Sequence, residues 1–262
     1  MSIDLEGRKV GVERHSHFGD GVEDVGLAVS TGRIVRVHGP YGIFIGNERL
    51  EFVPAVIDDP VVTGAQLLVV AGIANPVEHL LYQLLGNGLL EEIRPEEVTD
   101  LRLAGAEKFL IFRSDRSFRF QLDDRAIDWG ASHISGATLK QLAGVDIHSH
   151  DVWQDIRGAA DRLIADSELS DLSEPGVERF FTKPIQIKIL VNARPKEVHR
   201  RVLSYWEVVK LAFPEAEPGE GVIYSVDYAR GPHANPEGSM VAGQHVHVKD
   251  GMTFYVTPTD RS

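Results

Sequence analysis

Ser204-Tyr205-Trp206-Glu207-Val208-Val209-Lys210-Leu211-Ala212-Phe213 is the last of three appearances of one pattern. The earlier two are Thr63-Gly64-Ala65-Gln66-Leu67-Leu68-Val69-Val70-Ala71-Gly72 and Ser135-Gly136-Ala137-Thr138-Leu139-Lys140-Gln141-Leu142-Ala143-Gly144, and all three align without gaps. Each opens on a hydroxyl residue suited to cap a helix. Gln66 and Glu207 stand three residues on and complete a capping box, whereas Thr138 in the middle copy predicts a weaker cap. Apolar residues follow at one helical spacing: Leu67, Val70 and Ala71; Leu139, Leu142 and Ala143; Val208, Leu211 and Ala212. Gly72, Gly144 and Pro214 then end the helices. Such self-similarity marks a repeat architecture.

Outward from the helices the copies continue to match. Gly105-Ala106-Glu107-Lys108-Phe109 corresponds to Gly176-Val177-Glu178-Arg179-Phe180 and, more loosely, to Gly251-Met252-Thr253-Phe254. Each copy therefore closes on a glycine turn and an aromatic strand. Ahead of the third helix, Ile185, Ile187, Ile189 and Val191 alternate with other residues as one face of a strand. Asn192 to Pro195 supplies a turn, and a second strand is expected from Lys196 to Arg201. The same hairpin is expected as Tyr41–Ile45 with Arg49–Val53, and as Phe118–Leu122 with Ala126–Trp129.

The last fifteen residues, Val248 to Ser262, read as a turn at Lys249-Asp250-Gly251, a strand from Met252 to Thr257, and a tail. Pro258 lacks an N–H and is expected to end the pairing. That leaves Pro258, Thr259, Asp260, Arg261 and Ser262 as a free polar end, reaching ~17 Å at full extension.

Each copy spans ~65–80 residues, enough for a small sheet with one amphipathic helix laid across it. The expected fold is α+β: three tandem β-grasp domains behind a polar N-terminal arm. The boundaries fall at 1–38 for the arm, then 39–115, 116–182 and 183–262. The arm carries Gly7, Gly19, Gly21, Gly26 and Gly32 and is expected to be loose. Within it Ile34-Val35-Arg36-Val37 is a candidate strand that would pair with the sheet edge of a neighbouring copy.

Composition excludes several function classes. The 262 residues carry a formal charge of −12, against a general nucleic-acid binder. No apolar run approaches the ~20 residues that span a bilayer, and the start lacks a basic region followed by an apolar one. With no cysteine, the chain has no disulfide and no thiol nucleophile. A cytoplasmic location is the expectation.

The third copy, from Ser204 to Phe213, Tyr224-Ser225-Val226-Asp227-Tyr228, Gly238 to Gly243 and Val248 to Phe254, resembles the bacterial multiubiquitin family. The first two copies match mainly at the helix and last strand, so the resemblance covers about Gly39 to Ser262. It implies tandem ubiquitin-like domains. It also implies three partners: a ubiquitin-activating-type adenylating enzyme, a conjugating enzyme and a metal-dependent deconjugating protease. By that resemblance the carboxylate of Ser262 would be adenylated with ATP bound by the partner enzyme, then transferred to a target. The chain would need no cofactor and would not itself be an enzyme. It departs from ubiquitin in ending Thr259-Asp260-Arg261-Ser262, with no glycine beyond Gly251. The alternative function is a scaffold of linked β-grasp domains that assembles through the arm or sheet edges and is never conjugated.

Smaller signals remain. Asp115-Arg116-Ser117 copies Asp260-Arg261-Ser262 and reads either as a processing junction or as a relic of duplication. The second junction, Thr182-Lys183-Pro184, lacks the copy, and both linkers are too short for domains to wander far. Three His-x-His pairs occur, His15 with His17, His148 with His150 and His245 with His247, but no third ligand is placed to complete a metal site. Glu91-Glu92 and Glu96-Glu97 read as solvated surface, and Gly19 to Gly26 is too acidic for a phosphate loop.

Overall fold

A computed structural model describes residues 17–103, 105–218 and 222–260. The chain divides into two compact units, crossing between them at Gly144/Val145, Ala165/Asp166 and Phe180/Phe181. The second repeat therefore contributes to both.

In the first unit the elements run β1 (Glu23–Asp24), α1 (Val25–Ser30), β2 (Tyr41–Gly46), β3 (Phe52–Ile57), β4 (Val61–Thr63), α2 (Gly64–Val70), β5 (Leu80–Leu84), β6 (Leu90–Glu92), β7 (Val98–Asp100) and β8 (Lys108–Phe112). The sheet order is β1-β2-β8-β5-β6, with β3 paired to β2 and β4 paired separately to β7. First and last strands of the repeat, β2 and β8, are parallel, with Ile45 opposite Phe109. A parallel pair needs a crossover, and α2 lies within it. Its apolar side puts Leu67 and Leu68 in the core with Ile43, Ile45, Leu81 and Phe109. Thr63 and Gln66 form the reciprocal capping box that the sequence predicts. The second hairpin strand is Phe52–Ile57 rather than Arg49–Val53, because the turn from Asn47 to Leu50 is longer and puts Leu50 at φ 56°.

The arm departs from expectation in its described part. Residues 17–38 fold back on the first repeat, and Ile34–Val37 forms no strand. Glu23 and Asp24 instead pair in parallel with Tyr41 and Gly42 of β2. Val25, Ala28 and Val35 join the core of the repeat. The Glu23 carboxylate is buried, with Arg33 Nη1 2.7 Å from one oxygen and Arg36 Nε 2.8 Å from the other. Phe18 packs over Gly42, where a Cβ would stand 2.5 Å from the ring. A polar composition hid this element because its buried charge is matched by partners ten and thirteen residues away.

The first unit also holds β9 (Phe118–Leu122), β10 (Arg125–Trp129), β11 (His133–Ser135), α3 (Gly136–Ala143), β14 (Leu169–Asp171) and the opening of β15 (Glu178–Pro184). Here β10 pairs β9, β9 runs parallel to β15 with Leu122 opposite Phe180, and β11 pairs β14. The β9–β10 turn is tight, with Asp123 at φ 47° and Asp124 at φ 65°, so both central residues are left-handed as a type I′ hairpin demands. Between β11 and β14, in the second unit, lie β12 (His150–Gln154) and β13 (Arg162–Ile164), an antiparallel hairpin.

The rest of the second unit is the third repeat: β16 (Ile187–Val191), β17 (Arg194–Val198), β18 (Val202–Ser204), α4 (Tyr205–Ala212), β19 (Val222–Ala229), β20 (Gly238–Met240), β21 (His245–His247) and β22 (Thr253–Asp260). Its order, β17-β16-β22-β19-β20, repeats that of the first, and β16 is parallel to β22 with Val191 opposite Phe254. The turn is Asn192-Ala193, so β17 begins two residues earlier than expected. The capping box of α4 closes between Ser204 and Glu207.

The repeats are docked and not merely strung together. In the first unit Phe112, the last residue of β8, meets Trp129 of β10 edge to face at 4.7 Å between centroids, and Tyr82 meets Phe112 at 5.7 Å. Gly130 makes this possible, since a Cβ there would lie 2.4 Å from the Phe112 ring. Arg125 reaches back to the carbonyls of Asn87 and Leu142. The Tyr82 hydroxyl is buried without a hydrogen-bond partner among the described residues, and Ser117 approaches it short of bonding geometry. Burial, with a smaller push from nearby Glu92, raises the phenol to about 12. In the second unit Arg201 grips Asp151 with two bonds of 2.9 and 2.7 Å, and Ile185 N–H donates to the Ser149 carbonyl at 2.8 Å.

This packing and the α4 cap have three measurable outcomes. Phe112→Ala costs about 3 kcal/mol and Gly130→Ala about 1–3 kcal/mol, and the double variant costs clearly less than their sum in denaturant unfolding, because the alanine at 112 removes the ring that the new Cβ strikes. Tyr82→Phe raises the melting temperature, since it deletes an unsatisfied buried hydroxyl while keeping the ring. Burial alone would raise the Glu207 carboxyl, but the Ser204 amide and hydroxyl and the Arg200 charge outweigh it and hold it below the usual range. Its contribution is therefore complete above the ordinary glutamate range and lost as pH falls through the depressed folded value. The melting gap between wild type and Glu207→Gln is widest near about pH 6 and narrows toward about pH 3.

Candidate functional site at the end of the last strand

The end of β22 lies differently from the sequence expectation. Pairing does not stop at Pro258: Tyr224 stands opposite Pro258, Ile223 opposite Thr259 and Val222 opposite Asp260. The reason is the direction in which the proline nitrogen faces. Val256 N–H donates to Asn192 Oδ1 at 2.8 Å, and Asn192 Nδ2 donates to the Val256 carbonyl at 2.9 Å. Backbone groups two residues apart point the same way, so the Pro258 nitrogen also faces the β16 side. There β16 has already turned away after Val191, and no N–H is required. Of the predicted tail, Pro258, Thr259 and Asp260 are strand, while Arg261 and Ser262 lie outside the described residues.

The terminal pairs form a two-stranded ribbon that outruns its neighbours. In the first repeat the same two strands end their pairing at Leu80 opposite Phe112, three residues beyond the anchoring Phe109. In the third, the equivalent pair is Ser225 with Thr257, and three more pairs lie beyond it. On its helix side the ribbon meets an aromatic cluster. Trp206 stands 6.2 Å from Tyr224 and 5.3 Å from Tyr205, Phe213 stands 5.5 Å from Tyr224, and Tyr205 Oη donates to the Tyr224 carbonyl at 2.7 Å. Sequence reasoning treats Asn192 only as a turn residue and misses its side-chain bridge to β22. The alternation of Tyr224 and Val226 with Ser225 and Asp227 is the signal available for the longer strand.

Asp115, Arg116 and Ser117 occupy an exposed bend between β8 and β9. Asp115 falls six residues past Phe109, as Asp260 falls six past Phe254, so the two aspartates stand at equivalent distances from the anchoring phenylalanine. The Arg116 guanidinium bonds Asp115 at 3.2 Å and holds its carboxyl below the usual range, and Ser114 Oγ donates to the Arg116 carbonyl at 2.8 Å. The bend borders a cleft of about 970 Å³ with Gly130 to Ser135 and Asp166 on its walls. The second junction is strand to Pro184 and then buries Ile185. His245 and His247 flank buried Val246 as exposed strand residues, and His15 lies outside the described residues. Among the described residues no three histidine, aspartate or glutamate side chains are grouped to hold a metal, and no helix is long and apolar enough to cross a membrane.

No curated protein matches the chain. The multiubiquitin family, however, matches at three successive stretches, residues 48–114, 118–185 and 187–260. Each stretch holds one capped helix and one final strand seated beside the repeat's first strand. The chain is a member of the multiubiquitin family, with three tandem ubiquitin-like β-grasp repeats.

Proposed function

We propose that the chain is a protein modifier, not itself an enzyme, whose carboxyl end beyond β22 is adenylated by a ubiquitin-activating-type enzyme in the cytoplasm. A conjugating enzyme would pass it to targets and a metal-dependent protease would release it. ATP is consumed on the partner, and the chain supplies only a carboxylate. The observation that carries this reading is the ribbon. Among the described residues, no strand flanks Thr257 to Asp260 on the β16 side, so the end of β22 is an open edge. The exposed stretch Asp115 to Ser117 is the candidate junction at which the first repeat would be freed with a like end. A scaffold that is never conjugated is the second reading. It is favoured by β3, an edge strand with Val53 and Val56 exposed to solvent.

The full chain is to be incubated with its adenylating partner, magnesium and ATP. Pyrophosphate exchange and intact mass are the readouts. The modifier reading expects chain-dependent exchange and an enzyme adduct, both abolished when Arg261 and Ser262 are deleted. A mass for residues 1–117 would report cleavage at the first junction. Absence of exchange, together with concentration-dependent growth in mass that Val53→Lys abolishes, establishes the scaffold instead.

A further inference from the structure

The helix of the third repeat begins differently from the other two. The first opens Gly64-Ala65 and the second Gly136-Ala137, while the third opens Tyr205-Trp206 at the same positions after the cap. In the first repeat an aromatic side chain cannot be accommodated there, because even a Cβ on Gly64 would stand 2.3 Å from the Arg94 carbonyl. At the other end, Phe213 occupies the place held by Gly72 and Gly144. The aromatic residues thus sit on a repeat whose β19–β22 pairing runs three pairs beyond the corresponding β5–β8 pairing of the first. Two independent differences coincide on the same ribbon.

The contacts say what the coincidence does. A bare two-stranded ribbon frays readily, as its hydrogen bonds face water and no third strand supports it. Here Tyr224 is the cross-strand partner of Pro258, on the side facing α4. It is gripped by the Trp206 and Phe213 rings, and its carbonyl receives the Tyr205 hydroxyl. Asn192 holds the other edge through Val256. We infer that the cluster of Tyr205, Trp206, Phe213 and Tyr224 is a brace that keeps the β19–β22 ribbon closed through its last pair, Val222 with Asp260. Trp206 is a positioning residue and touches no reacting group. Its consequence for activation rests on the modifier reading, but the closed ribbon does not.

Hydrogen exchange on the full chain tests the brace without any partner. Since Val256 N–H points to Asn192, the amides of Thr257 and Thr259 point to β19 and report the ribbon directly. Trp206→Ala is expected to speed exchange at Ile223 and Thr259 by about tenfold or more, with Val226 and Phe254 unchanged. Trp206→Phe restores protection. Tyr205→Phe, which removes only the hydroxyl, gives a smaller change at the same amides and serves if the alanine variant fails to fold. Equal acceleration at all four amides, or none, overturns the brace. With the adenylating enzyme, Trp206→Ala raises KM for the chain and leaves kcat near its original value. Faster activation would mean that the closed ribbon is an obstacle and would overturn the positioning role. No exchange of pyrophosphate by the wild-type chain removes the modifier reading while leaving the amide result to stand.

Discussion

Each repeat depends on a parallel pair between its first and last strands, seated on one buried phenylalanine. Phe109 faces Ile45, Phe180 faces Leu122 and Phe254 faces Val191. Parallel neighbours cannot be joined by a tight turn, so the chain between them must cross over, and the capped helix is that crossover. The helix then covers the face on which the phenylalanine lies. Burying a ring of this size is worth about 2–3 kcal/mol by area, more than a typical surface ion pair. The crossover helix and the seat of the closing strand follow from this one pairing.

The local parts of that arrangement are legible in the sequence and the long-range parts are not. Thr63, Ser135 and Ser204 cap helices because a cap acts over three residues. The hairpins are legible too, yet the boundaries of the first and third differ from those the sequence suggests. Whether Asn47 to Leu50 or Asn192-Ala193 makes the turn depends on how many residues accept a left-handed backbone. Glu23 looks like surface charge and is buried, since two arginines complete it. Pro258 looks like a terminator and is not, because a proline ends a strand only if its nitrogen faces a partner. That direction is set by Asn192, more than sixty residues earlier, and no reading of residues 252–262 alone contains it.

The candidate site is legible to the same degree. Asp115 lies as far past Phe109 as Asp260 lies past Phe254, the spacing that the repeated triplet shows in the sequence. After the first triplet the chain enters β9 at Phe118 and is bound to the next repeat through Phe112 and Trp129. The bend is open to solvent, but its two ends are tied within a few residues, so exposure alone does not make it slack.

The outer face of the sheet is where the repeats part company. One pair beyond the anchor, the first repeat has Tyr82 opposite Leu110, and the third has Asp227 opposite Tyr255. Tyr82 and Leu110 are almost fully buried, and Phe112 just beyond them lies against the second repeat. Tyr255 is 54% exposed, and Thr257 beyond it replaces the phenylalanine. The inward positions keep the same character throughout, with Leu81, Val152 and Val226 all buried. Core identity therefore preserves the fold, while the outward residues record whether another repeat is docked there. The open face of the third repeat is accordingly more polar, with Ser225, Asp227 and Thr257 beside the exposed Ile223 and Tyr255. On the helix side of that repeat Tyr205, Trp206, Phe213 and Tyr224 form the aromatic cluster against the ribbon.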